Sequence, residues 1–314
     1  MKIEKKKYFH KPVLLKEVVK ILDPKPGQVF VDATCGLGGH SQAILKKIGS
    51  FGKILCLDAD IKALKQCKDS LKRKNNIVFV EGNFRDLKEI VRDKGFDDVD
   101  GILYDLGLSS LQLADKSRGF SFRENGLLDM RISNKTFLLA SDLINNLKES
   151  ELVEIFKKYG EEKEAKVIAK EIVKTRAQKK ITRANELVDI ILRVVPYQYK
   201  RKIHPATKVF QALRIAVNQE LENLSFSLPQ AIDLLKKGGR VVVISYHSLE
   251  DRIVKNIFKK EAKGCVCPSE LPVCKCGKKP RLVILTSKPI IPKKDEIKTN
   301  PRSRSAKLRA AEKI

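Results

Sequence analysis

Long apolar runs are missing. No stretch of the 314-residue chain approaches the ~18 consecutive uncharged apolar residues of a membrane-spanning helix, so no span is predicted. The N-terminal segment is basic with no apolar run behind it, which argues against a secretory signal. A disulfide framework is also missing: the seven cysteines are odd in number and unevenly spaced. Reduced thiols and a cytoplasmic location follow as expectations. There is no internal repeat. Acidic residues are few, 38 Asp and Glu against 64 Lys and Arg.

What is present narrows the class. The length allows one large domain or two ordinary ones, and 42% hydrophobic residues can bury a sizeable core. A net charge of +26 points to a polyanion, either nucleic acid or an anionic membrane surface. The competing reading is a lysine excess without meaning for partners, and runs such as Lys5-Lys6-Lys7 look generic.

Hydrophobic patterning predicts a helix over 12–22, then strands over 28–34, 53–60, 77–81 and 99–106 separated by helical stretches. Strands that alternate with helices need crossovers, so they pair in parallel. From 115 to 205 no strand is predicted, and helices are expected over 135–147, 149–158, 161–179 and 183–195. In the third, Ala165, Ile168, Ala169, Ile172 and Val173 share a face. Lys166, Lys170, Lys174, Arg176, Lys179 and Lys180 occupy the others, either as a solvated exterior or as a contact for RNA. The α/β pattern resumes with a helix over 209–235 that breaks near Pro229. Strands follow over 240–246 and 281–287, with a helix over 249–262 between them. The fold class is a doubly wound α/β sheet with an inserted all-helical domain. The expected domains are a discontinuous catalytic domain (1–114 and 206–290), a helical insertion for RNA recognition (115–205) and a basic C-terminal arm (291–314). In that arm Arg302, Arg304, Lys307 and Arg309 could meet phosphates.

Asp32-Ala33-Thr34-Cys35-Gly36-Leu37-Gly38-Gly39-His40 leaves the first strand and opens a helix. Glycines there let the backbone approach a ligand, and the first helical N–H groups face it. Asp58, at the end of the second strand, is placed to accept both hydroxyls of a ribose. A nicotinamide dinucleotide would want a third glycine where Ser41 stands. Asp32 sits awkwardly beside a pyrophosphate but suits the cationic amino acid end and sulfonium of S-adenosylmethionine. That donor is favoured over a dinucleotide, and an NAD-dependent oxidoreductase is the rival enzyme.

Asp105-Leu106-Gly107-Leu108-Ser109-Ser110 ends the fourth strand. The Asp105 carboxylate and Leu106 carbonyl can accept the hydrogens of an exocyclic amine and aim its lone pair at a methyl group. Helix capping is the structural alternative for Asp105. Carbon methylation would need a cysteine nucleophile in the target pocket, and Cys35, Cys56 and Cys67 fall elsewhere. Tyr246 and His247, after the fifth strand, could stack on a flipped base. Cys265-x-Cys267 and Cys274-x-Cys276 could hold zinc, although the spacing is tighter than usual and no metal is required for the transfer.

Several motifs, in order along nearly the whole chain, resemble the bacterial RsmH (MraW) family. They are His10-Lys11-Pro12-Val13-Leu14-Leu15, Thr34-x-Gly36-x-Gly38-Gly39-His40-Ser41, Asp105-Leu106-Gly107-x-Ser109-Ser110-x-Gln112-Leu113, Arg118-Gly119-Phe120-Ser121-Phe122, Leu128-Asp129-Met130-Arg131, Thr207-x-x-Phe210-Gln211-Ala212-Leu213-Arg214-Ile215, Ser245 through Arg252, and Asn300-Pro301-Arg302. The resemblance implies a class I (Rossmann-like) methyltransferase with a helical insertion, acting on N4 of a cytidine in the decoding centre of 16S rRNA. Its donor site would use Gly38, Gly39, His40, Asp58, Phe84, Asp105 and Gln112, and its partner would be the small ribosomal subunit. Leu111 stands where relatives often have proline. A homodimer stays open, as does a non-catalytic RNA-binding assembly factor.

Overall fold

The computed structural model describes residues 11–71, 75–122, 125–195, 203–265, 267, 271, 273 and 275–314. His10 and Cys274, both singled out above, lie outside the described residues. The chain forms two compact units, residues 1–107 with 221–314, and residues 108–220. These bounds are wider than the expected insertion at 115–205.

The first unit is built on a seven-stranded sheet of order β3-β2-β1-β4-β5-β7-β6. The strands are β1 (Val29–Asp32), β2 (Lys53–Asp58), β3 (Ile77–Glu81), β4 (Val99–Asp105), β5 (Leu235–Ser245), β6 (Leu282–Ile284) and β7 (Lys307–Lys313). β1 to β5 are mutually parallel, whereas β7 runs antiparallel to both β5 and β6. Helices α1 (Leu15–Leu22), α2 (Gly39–Ile48), α3 (Ile61–Leu71), α4 (Leu87–Asp93), α11 (Glu220–Leu234) and α12 (Ser248–Ala262) cover the sheet.

Strand alternation sorts them into two layers. Phe30, Ile54, Cys56, Leu103, Val242 and Ile244 pack with Val18 and Leu22 of α1, Ile44 and Ile48 of α2, and Leu64 of α3. The intervening Val31, Leu55, Leu57, Ile102, Tyr104 and Val243 pack with Leu87 of α4, Leu228 and Ile232 of α11, and Phe258 of α12. This is the doubly wound α/β class expected from the sequence. The chain steps from β1 outward to β3 and returns to β4 on the other side of β1. The carboxyl ends of β1 and β4 therefore flank the crevice where such sheets bind ligands.

Two readings change. The expected helix break at Pro229 is absent: α11 runs through it, and the chain turns at Gln219 in left-handed geometry (φ 51°). Leu224, Leu228, Ala231 and Ile232 are fully or almost fully buried along this helix. Their packing outweighs the ~3 kcal/mol a helical proline costs.

The C-terminal arm is also not an arm. Segment 291–314 forms α13 (Lys294–Thr299), a short 3-10 turn over Pro301–Ser305, and β7. Leu308, Ala310 and Ala311 are fully buried in the sheet. Asn300 Nδ2 donates to the Lys11 carbonyl (3.0 Å), and Leu14 N–H donates to Glu296 Oε1 (2.8 Å). Arg309 is 8% exposed and grips the Asp251 carboxylate at 2.6 and 3.2 Å, so it is not available to phosphate. Arg302 and Arg304 stay exposed.

The second unit comprises α5 (Ser110–Ala114), α6 (Ala140–Asn146), α7 (Glu149–Gly160), α8 (Ala165–Arg176), α9 (Ala184–Val194) and α10 (Ala206–Asn218). Its core joins Phe156, Ile168, Ile172, Leu187, Ile191 and Leu213, all fully buried. Glu161 takes left-handed geometry (φ 48°), which delays α8 to Ala165. Of the basic residues read on α8, Lys166, Lys170 and Lys174 are exposed. Arg176 is different. Its guanidinium donates to the carbonyls of Ile144 and Leu147, both at 2.5 Å, and so ties α8 to the end of α6.

Candidate active site

The loop after β1 is shaped by close approaches. Gly38 is left-handed (φ 83°), and a Cβ there would lie 2.7 Å from Cys67 Sγ. A Cβ on Gly39 would lie 2.3 Å from Pro12 Cγ. Only glycine lets α2 begin so near its neighbours. Asp58 closes the loop from β2: Gly36 N–H donates to Oδ2 (2.7 Å) and Asp60 N–H to Oδ1 (2.8 Å). Past β3, Asn83 accepts from Arg85 N–H, and the Phe84 ring meets Tyr104 edge-on with centroids 5.7 Å apart. The loop, the Asp58 carboxylate and a half-buried aromatic ring thus line the carboxyl ends of adjacent strands.

Asp32, expected beside the cationic end of the donor, is withdrawn from solvent. It is 1% exposed, accepts from Ser41 Oγ at 2.6 Å and from Thr34 N–H at 3.4 Å, and faces no solvent. Burial raises its carboxyl well above the ordinary aspartate range. Ser41, which counted only as a missing glycine, is its hydrogen-bond donor.

The carboxylate that does stand at the crevice is Asp105, at the end of β4. Tyr246 O–H donates to Oδ1 (2.8 Å), and His40 Nδ1 lies 3.7 Å from Oδ2. Asp105 N–H donates to Thr34 Oγ1 (2.6 Å), which locks β4 to the β1 loop. His40 Nε2 is 2.9 Å from the Val13 carbonyl, which can only accept, so that nitrogen carries a hydrogen. Burial, then the Asp105 charge, push the Tyr246 hydroxyl well above the ordinary tyrosine range. The phenol therefore stays a donor. Gly107 makes room for that ring: a Cβ there would sit 2.6 Å from Tyr246 Cε2. Leu106 N–H donates to the Ile244 carbonyl, holding the turn onto β5.

The polar atoms of Tyr246 and His247, both expected as stacking groups, bond within the protein. Tyr246 holds Asp105. His247 caps α12: its Nδ1 accepts from Glu250 N–H (3.4 Å), while Glu250 Oε2 accepts from Tyr246 N–H (2.8 Å). Gln112 lies in the helical unit, where it forms a capping box with Ser109: Ser109 N–H donates to Gln112 Oε1 (2.8 Å) and Gln112 N–H to Ser109 Oγ (3.2 Å). The sequence reading gave Thr34 and Ser41 no part in fixing Asp105 and Asp32. Cys35, Cys56 and Cys67 are buried, and hydrogen bonding to Cys56 and Cys67, with burial, holds the Cys35 thiol protonated.

Residues 7–314 match the MraW methylase family. A ribosomal RNA small subunit methyltransferase H from Caldicellulosiruptor saccharolyticus is 52% identical over 307 residues, covering 98% of this chain and all of the relative. Proteins of the same name from Carboxydothermus hydrogenoformans and Thermomicrobium roseum are 48% and 50% identical, over 98% and 97% of this chain and 98% and 94% of theirs. No oxidoreductase reading survives a match of that extent. Half-identical alignment over almost the entire length, on a sheet whose strand ends gather a glycine loop and two carboxylates, makes this chain a member of the MraW methylase family.

Proposed function

We propose that this protein transfers a methyl group from S-adenosylmethionine to N4 of a cytidine in the decoding centre of small-subunit ribosomal RNA. The coarser part, ribosomal RNA methylation, rests on family membership and on the names its relatives carry. The finer part rests on Asp105. Its carboxylate is fixed by Tyr246, Thr34 and the nearby His40 at the end of β4, beside the glycine loop.

The residues fit the donor. Gly38 and Gly39 keep the loop backbone bare where it packs on Cys67 and Pro12, Asp58 offers a carboxylate at the end of β2 for a ribose, and Phe84 offers a ring for adenine. When bound, the donor supplies an activated methyl group on a sulfonium, which needs no metal. The protein's task is orientation. Cytosine N4 is a poor nucleophile because its lone pair is delocalised into the ring. Asp105 Oδ and the Leu106 carbonyl, by accepting its hydrogens, turn that lone pair toward the methyl group. The lone pair held by Asp105 and the Leu106 carbonyl would make the new N–C bond, and the donor would keep the electron pair of its C–S bond. The displaced N4 proton passes to Asp105, with His40 Nδ1 behind it. The helical unit and its exposed Lys166, Lys170 and Lys174 serve RNA recognition in this reading, on small-subunit RNA alone or within the assembled subunit.

The test is mass spectrometry of ribosomal RNA from a strain lacking this protein. One cytidine should lose a methyl group and regain it with the wild-type gene but not with Asp105→Asn. An unchanged nucleoside profile would refute the assignment.

A further inference from the structure

We propose that Cys265, Cys267 and Cys276 form a zinc site that staples the segment between α12 and β6. Segment 263–281 has no helix or strand among the described residues. Its feet are joined: Arg281 N–H donates to the Glu261 carbonyl (2.8 Å), and Lys278 Nζ reaches the Lys260 carbonyl. Of its described apolar side chains, Leu271 and Val273 are exposed.

What gathers instead is sulfur. The Sγ atoms of Cys265, Cys267 and Cys276 all lie within 4.8 Å of one another. Cysteine that merely packs is among the most buried residue types. Cys265 and Cys276 are exposed, so packing does not explain the cluster. Its geometry suits a metal. Two thiolates at about 2.3 Å from one tetrahedral ion stand about 3.8 Å apart, and Cys276 Sγ lies 3.8 Å from Cys265 Sγ. Cys267 N–H points at Cys265 Sγ (3.4 Å), the kind of outer hydrogen bond that steadies a ligating sulfur. Lys263, Lys275, Lys278 and Lys279 surround the cysteines in sequence and offset the charge of a thiolate complex.

Three soft sulfur ligands select zinc among abundant divalent ions, and a fourth donor, a water or a further side chain, completes the tetrahedron. Binding deprotonates the thiols and releases the protons to solvent. Cys274, outside the described residues, is not needed for this argument.

The tag-free, full-length protein, purified with a non-thiol reductant and dialysed against metal-free buffer, should carry one zinc per chain by elemental mass spectrometry. Cys265→Ser and Cys276→Ser should each lose it while keeping calorimetric affinity for the methyl donor, which shows that the variants fold. Cobalt substitution should give thiolate-to-cobalt charge-transfer absorption in the wild type and none in Cys276→Ser. Removing zinc from the wild type should open segment 263–281 to trypsin. Wild-type protein that retains no zinc after incubation with the metal overturns the proposal, as do serine variants that keep it.

Discussion

Asp105 is held by neighbours whose loss can be felt separately. Tyr246→Phe keeps the ring against Gly107 but deletes the hydrogen bond to Oδ1. A hydrogen bond to a charged group contributes about 1.5–3 kcal/mol. The turnover number should therefore fall roughly 10- to 100-fold with the melting temperature little changed, and single-turnover methylation with calorimetry checks both. Gly39→Ala attacks the same site sterically, by driving a Cβ into Pro12. Overpacking of this kind costs about 1–3 kcal/mol. Reduced donor affinity and a lower thermal midpoint are expected, and normal values for both would show that Pro12 moves aside freely.

At the scale of elements, α9 carries an acid-sensitive cap. Glu186 accepts from Thr182 and Arg183 N–H groups and pairs with Lys179 at 2.9 Å. The Lys179 hydrogen bond, then the backbone donors, hold its carboxyl down at about 2. A depressed carboxylate contributes stability above its unfolded value, and that contribution fades as pH falls from about 4.5 towards 2. Exposure to solvent keeps the contribution small, below about 1 kcal/mol. Carbon-detected titration should place Glu186 near 2, and Lys179→Ala should move it up toward an ordinary glutamate. β7 permits a larger test. Deleting 306–314 removes a strand from between β5 and β6 and leaves β5 with an unpaired apolar edge. Insoluble protein is expected. A deletion that stayed soluble and lost only RNA affinity would restore the reading of this segment as a surface arm.

For the whole molecule the governing quantity is charge. At +26 the chain should bind RNA with an affinity that falls linearly in the logarithm of salt concentration, by about 0.7 for each single-strand phosphate contacted. Filter binding of a small-subunit rRNA fragment across potassium chloride concentrations measures this slope. A flat response would mean that the lysine excess has no part in recognition. Among the described residues no helix is long and apolar enough to cross a membrane.

The sequence alone determined the parallel strands and the loop after β1. A buried strand writes its burial as a β-branched run, and a close backbone approach writes itself as Gly38-Gly39. The positions of Asp58 and Asp105 were legible for the same reason, since a strand's carboxyl end is a local feature. Only the tertiary structure decided which carboxylate meets the crevice. Asp32 and Asp105 look alike in sequence, and their difference lies in their partners, Ser41 nine residues on for one and Tyr246 141 residues on for the other. The same holds for Lys307–Lys313, whose basic composition suits solvent until β5 and β6 supply its hydrogen bonds on both edges. Local patterns encode what a segment can become. Pairing across the chain decides what it becomes, because burial and hydrogen bonds are settled between residues that sequence keeps apart.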